Sequence, residues 1–270
     1  MFDIYCEHVA TLRFKTMANS AAAGRSRLTM SFACNDQEVR EAQRLRYRVF
    51  KEEMGAGIAA NNERLDCDRF DAHCEHLLIR DERNDAVVGT YRLLRGEQAE
   101  HVGGFYAETE FQLRDFTRQR NAMVEIGRAC VAPDYRGGAA LGLLWSGVLR
   151  FAFGQGYRFV IGCASVDISD GGHAAADLYR QLRESHLGPR EWRVVPHRAL
   201  AVCDTKQPAA ATIPPLLDGY LRLGALIGGE PAWDPEFGSA DFFVILPLER
   251  LAPRYARHFR QSNTANLIAA

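Results

Sequence analysis

The sequence predicts a mixed α/β domain, and three observations carry that expectation. Strand-like and helix-like segments alternate as strand, helix, strand, strand, a long connection, strand, helix, strand, helix, and then further strand. The stretch from Met123 to Arg150 reads as an apolar strand, a glycine turn and an amphipathic helix. That combination suits anion binding, because the first helical N–H groups lack partners and carry partial positive charge. Finally, 270 residues with 47% hydrophobic and 25% charged side chains are ordinary for a core-forming protein of one large domain, or one domain with an extension.

Taken in order, residues 1–29 read as a flexible extension. From His8 to Ala33 there is no acidic residue, while Arg13, Lys15, Arg25 and Arg27 are basic. No apolar core of a secretory signal is present, and an upstream start with Met17 or Met30 as the functional beginning fits this composition. The domain proper is expected over 30–258. Leu28 to Ala33 is a short strand. Asn35 or Asp36 caps a helix that runs to about Met54. His76 to Arg80 and Ala86 to Leu94 form a hairpin around Arg83-Asn84-Asp85. Gly96 to Arg120 is a less regular connection. The strand from Met123 must stop pairing at Pro133, which has no N–H to donate. Tyr135-Arg136-Gly137-Gly138 turns the chain, and Leu141, Leu144, Trp145, Val148 and Leu149 follow at helical spacing. Phe159 to Ser165 is the next strand, Ala174 to Ser185 a helix, and Trp192 to Val202 strand-like. Lys206 to Thr212 is a polar linker. Pro214 to Leu226 is a helix with proline at its start, and Phe242 to Leu248 a buried strand. Residues 206–258 thus add a helix and the last strand. Helix fragments and coil follow Pro253, with 259–270 as a tail.

Composition excludes several classes. The formal charge of −1 provides no global field for nucleic acid. Seven scattered cysteines point to reduced thiols in the cytoplasm. No apolar run approaches the ~20 residues a membrane span needs. Cys67, His73, Cys74 and His76 lack a zinc spacing, so no metal is expected. No Gly-x-Ser-x-Gly elbow offers a serine nucleophile.

The segment Glu125 to Gly138 resembles motif A of the GNAT acyltransferase fold. Arg136, Gly137, Gly138 and Ala139 match the basic and small positions of its loop, while Leu141 stands where a last Gly or Ala is expected. Further strings extend the likeness: Arg46-Tyr47-Arg48-Val49-Phe50, Asp68-Arg69-Phe70-Asp71, Gly89-Thr90-Tyr91-Arg92-Leu93-Leu94, Gly103-Gly104-Phe105-Tyr106, Gly127-Arg128-Ala129-Cys130-Val131 and Gly219-Tyr220-Leu221-Arg222-Leu223-Gly224-Ala225. As a set they resemble the acyl-homoserine-lactone synthases, and more closely the bacterial ornithine N-acyltransferases of ornithine-lipid synthesis, a group often labelled hemolysin-like. The resemblance covers about 30–258.

The resemblance implies a mixed, mostly antiparallel central sheet with a splayed central strand, flanked by helices. It implies transfer of a 3-hydroxy fatty acyl group from acyl carrier protein to the α-amine of L-ornithine, giving a lyso-ornithine lipid. No cofactor would be bound, since the donor is the acyl-phosphopantetheine of the carrier. The Leu141 departure argues against ordinary coenzyme A and for the single phosphate of the carrier. A greasy product implies at least transient contact of a cytoplasmic enzyme with the inner membrane.

Amine attack on a thioester needs a neutral amine, a stabilised oxyanion and a protonated leaving thiolate. Glu125 is the candidate base or ammonium holder, with an ion pair to Arg128 or Arg92 as its structural alternative. Tyr220 is the candidate acid for the thiolate, and Tyr179 its rival. Arg46, Arg92 and Arg128 are candidates for the ornithine carboxylate, and Asp68 and Asp71 for its ammonium groups. An internal network among these five is the alternative, and both readings are compatible. Backbone N–H groups at Ala129, Cys130 and Val131 would hold the thioester oxygen and pantetheine, and Arg136, Gly137 and Gly138 its phosphate. Lysine, glutamine or glycine as acceptor, S-adenosylmethionine-dependent lactone synthesis, acetyl-CoA-dependent acetylation and a membrane-lytic role are the competing readings. The tryptophan that lactone synthases carry shortly after the Val-Phe pair is absent between Phe50 and Trp145.

Overall fold

A computed structural model describes residues 28–200 and 212–251. Its strands are β1 (Leu28–Phe32), β2 (Cys74–Asp81), β3 (Ala86–Arg95), β4 (Phe111–Gln112), β5 (Met123–Val131), β6 (Phe159–Asp167), β7 (Val195–Pro196), β8 (Leu226–Ile227), β9 (Ala232–Asp234) and β10 (Ser239–Pro247). The main helices are α1 (Asp36–Arg46), α2 (Ala139–Gly154), α3 (His173–Ser185) and α4 (Pro215–Leu223). Most of the expected extension at 1–29, the linker from Lys206, the segment after Pro253 and the tail at 259–270 lie outside the described residues. The predicted class holds: the pairing is mostly antiparallel, with helices on a multi-stranded sheet.

The chain forms two compact units and passes between them within β3, β5 and α2. The first unit comprises the described residues up to Leu93 together with Ile126–Phe151. Here β1 pairs antiparallel with β2, from Leu28↔Asp81 to Phe32↔Leu77. Asn35 caps α1 by accepting the Glu38 N–H at 3.0 Å, and the Glu38 carboxylate reaches back to Cys34 N–H at 2.7 Å. α1 buries Ala42 and Leu45, which join Val49, Leu78, Val87 and Cys130 in one apolar cluster. The helix expected to reach Met54 does so, but from Tyr47 to Glu53 it widens into a π-helix. Met54 N–H bonds back five residues to the Val49 carbonyl at 3.0 Å. On α2, Gly147 permits close packing, since a Cβ there would sit 2.6 Å from Leu77 and 2.7 Å from Met30.

The second unit comprises Leu94–Glu125 and the described residues from Ala152 onward. β10 is its centre. It pairs with β6 over nine positions, from Ser239↔Asp167 to Pro247↔Phe159, and with β8 and β9. A strand covered on both faces reads as a continuous apolar run, which is why Phe242 to Leu248 was legible. β5 joins β6 in parallel only from Met123↔Phe159 to Glu125↔Ile161. Phe116, Phe159, Trp192 and Phe243 pack ring on ring with centroids 5.3 to 6.4 Å apart.

Two element expectations need correction. The strand expected over Trp192 to Val202 shrinks to Val195–Pro196 in the described part, paired with Phe111–Gln112. Trp192 closes a 3-10 turn after Pro189, and Pro196 has no N–H to extend a ladder. The helix expected to reach Leu226 stops at Leu223. Gly224 takes φ +105°, its N–H and that of Ala225 satisfy the last carbonyls, and Leu226 and Ile227 turn into strand β8.

Candidate active site

The first unit gathers Arg46, Asp66, Asp68, Asp71, Arg92 and Arg128 into one network. Arg46 ends α1, the aspartates lie on the loop before β2, Arg92 is on β3 and Arg128 on β5. Arg46 is 0% exposed, with Nη2 2.7 Å from Asp71 Oδ2 and Nε 2.9 Å from Asp66 Oδ2. Its Nη2 also donates to the Asp66 carbonyl. Arg92 reaches Asp68 at 2.6 Å and Asp71 at 3.0 Å, with its guanidinium 5.6 Å from the Phe70 ring centre. Arg128 stands 3.3 Å from both Asp66 and Asp68. Gln43 donates to Asp71 at 3.1 Å, and His76 Nε2 lies 3.0 Å from the Asp71 carbonyl.

Charges this deep survive because each meets its opposite. Burial alone would push the Asp71 carboxyl up, but Arg46 and then Arg92 overcome it and hold it well below the usual range. Burial opposes the charge on Arg92 too, and Asp68 foremost outweighs it, so the guanidinium is raised. For His76 the compensation falls short. Burial drives it down to about 4 despite Asp71, so the ring is neutral near pH 7. Asp68 is the accessible member, with its side chain 22% exposed. Arg46 has no surface from which to meet a solute; its guanidinium serves Asp66 and Asp71.

Arg128 has φ +52°, a left-handed conformation that is uncommon for a non-glycine residue in a strand. It costs of order 1–3 kcal/mol and persists only where surroundings impose it. Here the guanidinium is held between two aspartates. The reversal follows directly on Glu125-Ile126-Gly127 and precedes Ala129-Cys130-Val131. The Cys130 side chain belongs to the apolar cluster, and burial pushes its thiol up to about 12.

After β5 the turn is tied at two points. Tyr135 Oη donates to Asp81 at 2.7 Å, and Asp81 is also gripped by Arg83. Arg136 Nε donates to the Val131 carbonyl at 3.0 Å, and its two Nη groups meet both oxygens of Glu53 at 2.5 and 2.8 Å. Arg136, Gly137 and Gly138 are exposed at the start of α2.

In the second unit Glu125 is 4% exposed. Its oxygens accept Tyr106 N–H and Ala107 N–H, each at 2.7 Å, at the start of the one-turn helix Ala107–Glu110. The carboxylate is thereby fixed in position and seated on positive N–H ends. Gly103-Gly104, with φ +84° and +123°, delivers the chain to this turn. Tyr220 is buried on α4, whereas Tyr179 on α3 is partly exposed, its phenol pushed up by burial and then by Glu230. A second group of acids gathers here. Burial, then Asp234 and Asp241, push Glu110 up to about 7. Burial and then Asp241 and Glu125 raise the Cys163 thiol well above its ordinary value.

Several of these residues were not anticipated from the sequence. Asp66 has a faint signal, two residues before Asp68. Gln43 and His76 lie at interior positions of their elements, three residues before Arg46 and one turn after Asp71. Glu53, and the Tyr106-Ala107 N–H pair, carry no local signal, because they act across long sequence separations. Among the described residues no group of three or more His, Cys, Asp or Glu is placed to hold a metal ion. No described helix is long and apolar enough to cross a membrane.

The class comes from the family model for the acetyltransferase (GNAT) domain, which matches residues 45–146 and so takes in the strand β5 and the glycine turn after it. Proteins named L-ornithine N(alpha)-acyltransferase are similar over most of the chain. The one from Brucella abortus is 37% identical, covering 86% of this chain and 88% of its own length. The one from Rhizobium meliloti is 35% identical, covering 82% and 80%. The chain belongs to the L-ornithine N(alpha)-acyltransferase family. A solved N-acyl amino acid synthase from uncultured soil microbes is 12% identical with a TM-score of 0.49, covering 87% of this chain and 99% of that one.

Proposed function

We propose that the protein transfers a 3-hydroxy fatty acyl group from acyl carrier protein to the α-amine of L-ornithine, giving a lyso-ornithine lipid. The observation that carries this reading is the similarity, over more than four-fifths of the chain, to proteins named for ornithine acylation. The catalytic domain is assigned to 30–258, with 1–29 and 259–270 as extensions. The enzyme works in the cytoplasm and meets the inner membrane when its product leaves.

The amine nitrogen bonds to the thioester carbonyl carbon, the C–S bond breaks, and the amine proton ends on the pantetheine thiolate. Glu125 holds the substrate ammonium and takes its proton, directly or through a water. Its anchoring on two N–H groups supports a fixed position for that exchange. Arg128 faces the ornithine carboxylate, and Asp68, the accessible aspartate, faces an ammonium. Arg46, Asp71 and Arg92 act as positioning residues that hold Asp68 and Arg128 in register. Backbone N–H groups at Ala129 to Val131 receive the thioester oxygen, and Arg136, Gly137 and Gly138 the pantetheine phosphate. Tyr220 returns the proton to sulfur, with Tyr179 as the second phenol in reach of a test.

Purified protein incubated with 3-hydroxyacyl carrier protein and a panel of amino acids tests this, with carrier thiol and lipid product followed together. Thiol release and lipid with ornithine are expected. Release with lysine, glutamine or glycine but not ornithine would overturn the acceptor assignment. Turnover of acyl-CoA with none from the carrier would overturn the donor. Tyr220→Phe and Tyr179→Phe, compared at high pH, identify the acid by which of them loses kcat.

A further inference from the structure

We infer that Glu53 is a donor-selecting residue, an internal carboxylate on the guanidinium face of Arg136 that an incoming donor phosphate must displace. The inference rests on the reading of Arg136 as the residue that meets the donor's phosphate.

Arg136 stands in the glycine turn before α2, and its plane is set by Nε donating to the Val131 carbonyl at 3.0 Å. Both Nη groups then face outward, and Glu53 takes both, fork on fork, from a π-helix 83 residues earlier in the chain. A carboxylate and a phosphodiester engage arginine in the same two-pronged geometry, so Glu53 fills the place of a phosphate. The Arg136 guanidinium holds the Glu53 carboxyl below its usual range, and Glu53 is therefore charged at working pH. The pair is exposed, 45% and 38%, so a solute can reach it. Exposed pairs of this kind hold weakly and exchange partners readily. Beside it a Cβ at Gly137 or Gly138 would meet nothing within 4 Å, leaving open room at the turn.

Displacement keeps Glu53 nearby at the end of its π-helix, while Glu52 beside it is already paired with Arg64. A carrier-bound pantetheine brings one phosphodiester with a single charge, which replaces Glu53 charge for charge. Coenzyme A brings a diphosphate and a further phosphate, and its additional negative charges must settle beside the displaced carboxylate. Like charges set close together penalise that ligand selectively. Glu53 thereby favours the singly charged donor over the multiply charged one.

The test compares the same 3-hydroxyacyl chain on carrier protein and on coenzyme A, with wild type, Glu53→Gln and Glu53→Asp. Glu53→Gln is expected to raise kcat/KM for acyl-CoA by about threefold or more, mainly through KM, and to lower the carrier preference accordingly. It should also tighten inhibition by inorganic pyrophosphate, while Glu53→Asp retains the wild-type preference. An unchanged donor ratio and unchanged pyrophosphate inhibition in Glu53→Gln, with an unaltered melting temperature, would overturn the inference. Wild type that turns over only acyl-CoA would refute the carrier donor alone; tightened pyrophosphate inhibition in Glu53→Gln would then still support Glu53 as the competitor. Arg136→Gln with unchanged KM for both donors would remove the anion reading of Arg136 and the inference with it.

Discussion

Asp71 and Glu110, each set among other carboxylates, respond to burial in opposite ways. In the first unit Asp66, Asp68 and Asp71 share a network with Arg46, Arg92 and Arg128, three negative against three positive. In the second unit Glu110 is influenced first by burial and then by Asp234 and Asp241, with Arg198 a weaker counterweight. Asp71 is held well below the usual carboxylate range, and Glu110 is pushed up to about 7. The desolvation cost is common to both. What differs is the company each carboxylate keeps, so burial alone does not predict ionisation. Asp71 is built to stay charged, and Glu110 to take up a proton near neutrality.

The largest effect should come from breaking the balance of the first group. Arg46→Met leaves two aspartates without their main partner in a buried site and should cost about 3–5 kcal/mol, read by urea unfolding. A cost below about 1 kcal/mol would mean that the network is not the source of its own stability. Next, Glu125→Gln should lower kcat about a hundredfold or more with the fold intact by circular dichroism, if the carboxylate exchanges the substrate's proton. Full activity would remove Glu125 from the chemistry.

The pH dependence sharpens the contrast. His76 titrates at about 4 in the folded protein against 6.5 ordinarily. The unfolded chain therefore binds more protons between those values, and stability is present above pH 6.5 and is lost as pH falls toward 4. That component should amount to roughly 2–3 kcal/mol and vanish in His76→Gln, measured by denaturant titration at pH 7 and pH 4.5. Asp71 adds loss at still lower pH, below its ordinary value of 3.8. The smallest effect has the opposite sign. Glu110 is raised from 4.5 to about 7, so its contribution is present below pH 4.5 and is lost as pH rises through about 7. Glu110→Gln should then stabilise the protein at pH 8 relative to pH 5, by about 1 kcal/mol once its half-exposed position is allowed for. Equal melting shifts at both pH values would show that Glu110 does not hold a proton.

Local pattern made much of the fold legible. The hairpin turn at Arg83-Asn84-Asp85, the cap at Asn35, the helix after Gly137-Gly138 and the apolar run of β10 all follow from residues within a few positions of one another. The overreach at Trp192 to Val202 has the converse cause. The segment reads as strand, but a strand exists only where a partner supplies a ladder; among the described residues Val195–Pro196 pairs with Phe111–Gln112, and Ala199 makes an isolated bridge to Ala232. The π-helix after Arg46 has no signature that separates it from a continuing α-helix.

The same division runs through the candidate site. Arg46, Arg92, Glu125 and Arg128 were readable as charges set among apolar neighbours and Arg136 as a charge beside two glycines, whereas Asp68 and Asp71 stood only in an acidic, irregular loop. The sequence by itself determined that Arg46, Arg92 and Glu125 would be drawn into the interior, because a charge inside a strand or on the apolar side of a helix has nowhere else to go. Only the tertiary structure decided who neutralises whom: Arg46 with Asp66 and Asp71, Glu125 with the N–H groups of Tyr106 and Ala107, Arg136 with Glu53. Pairings of that kind join positions 18 to 83 residues apart. They depend on the direction and distance of side chains across packed elements, and no one-dimensional pattern carries that information.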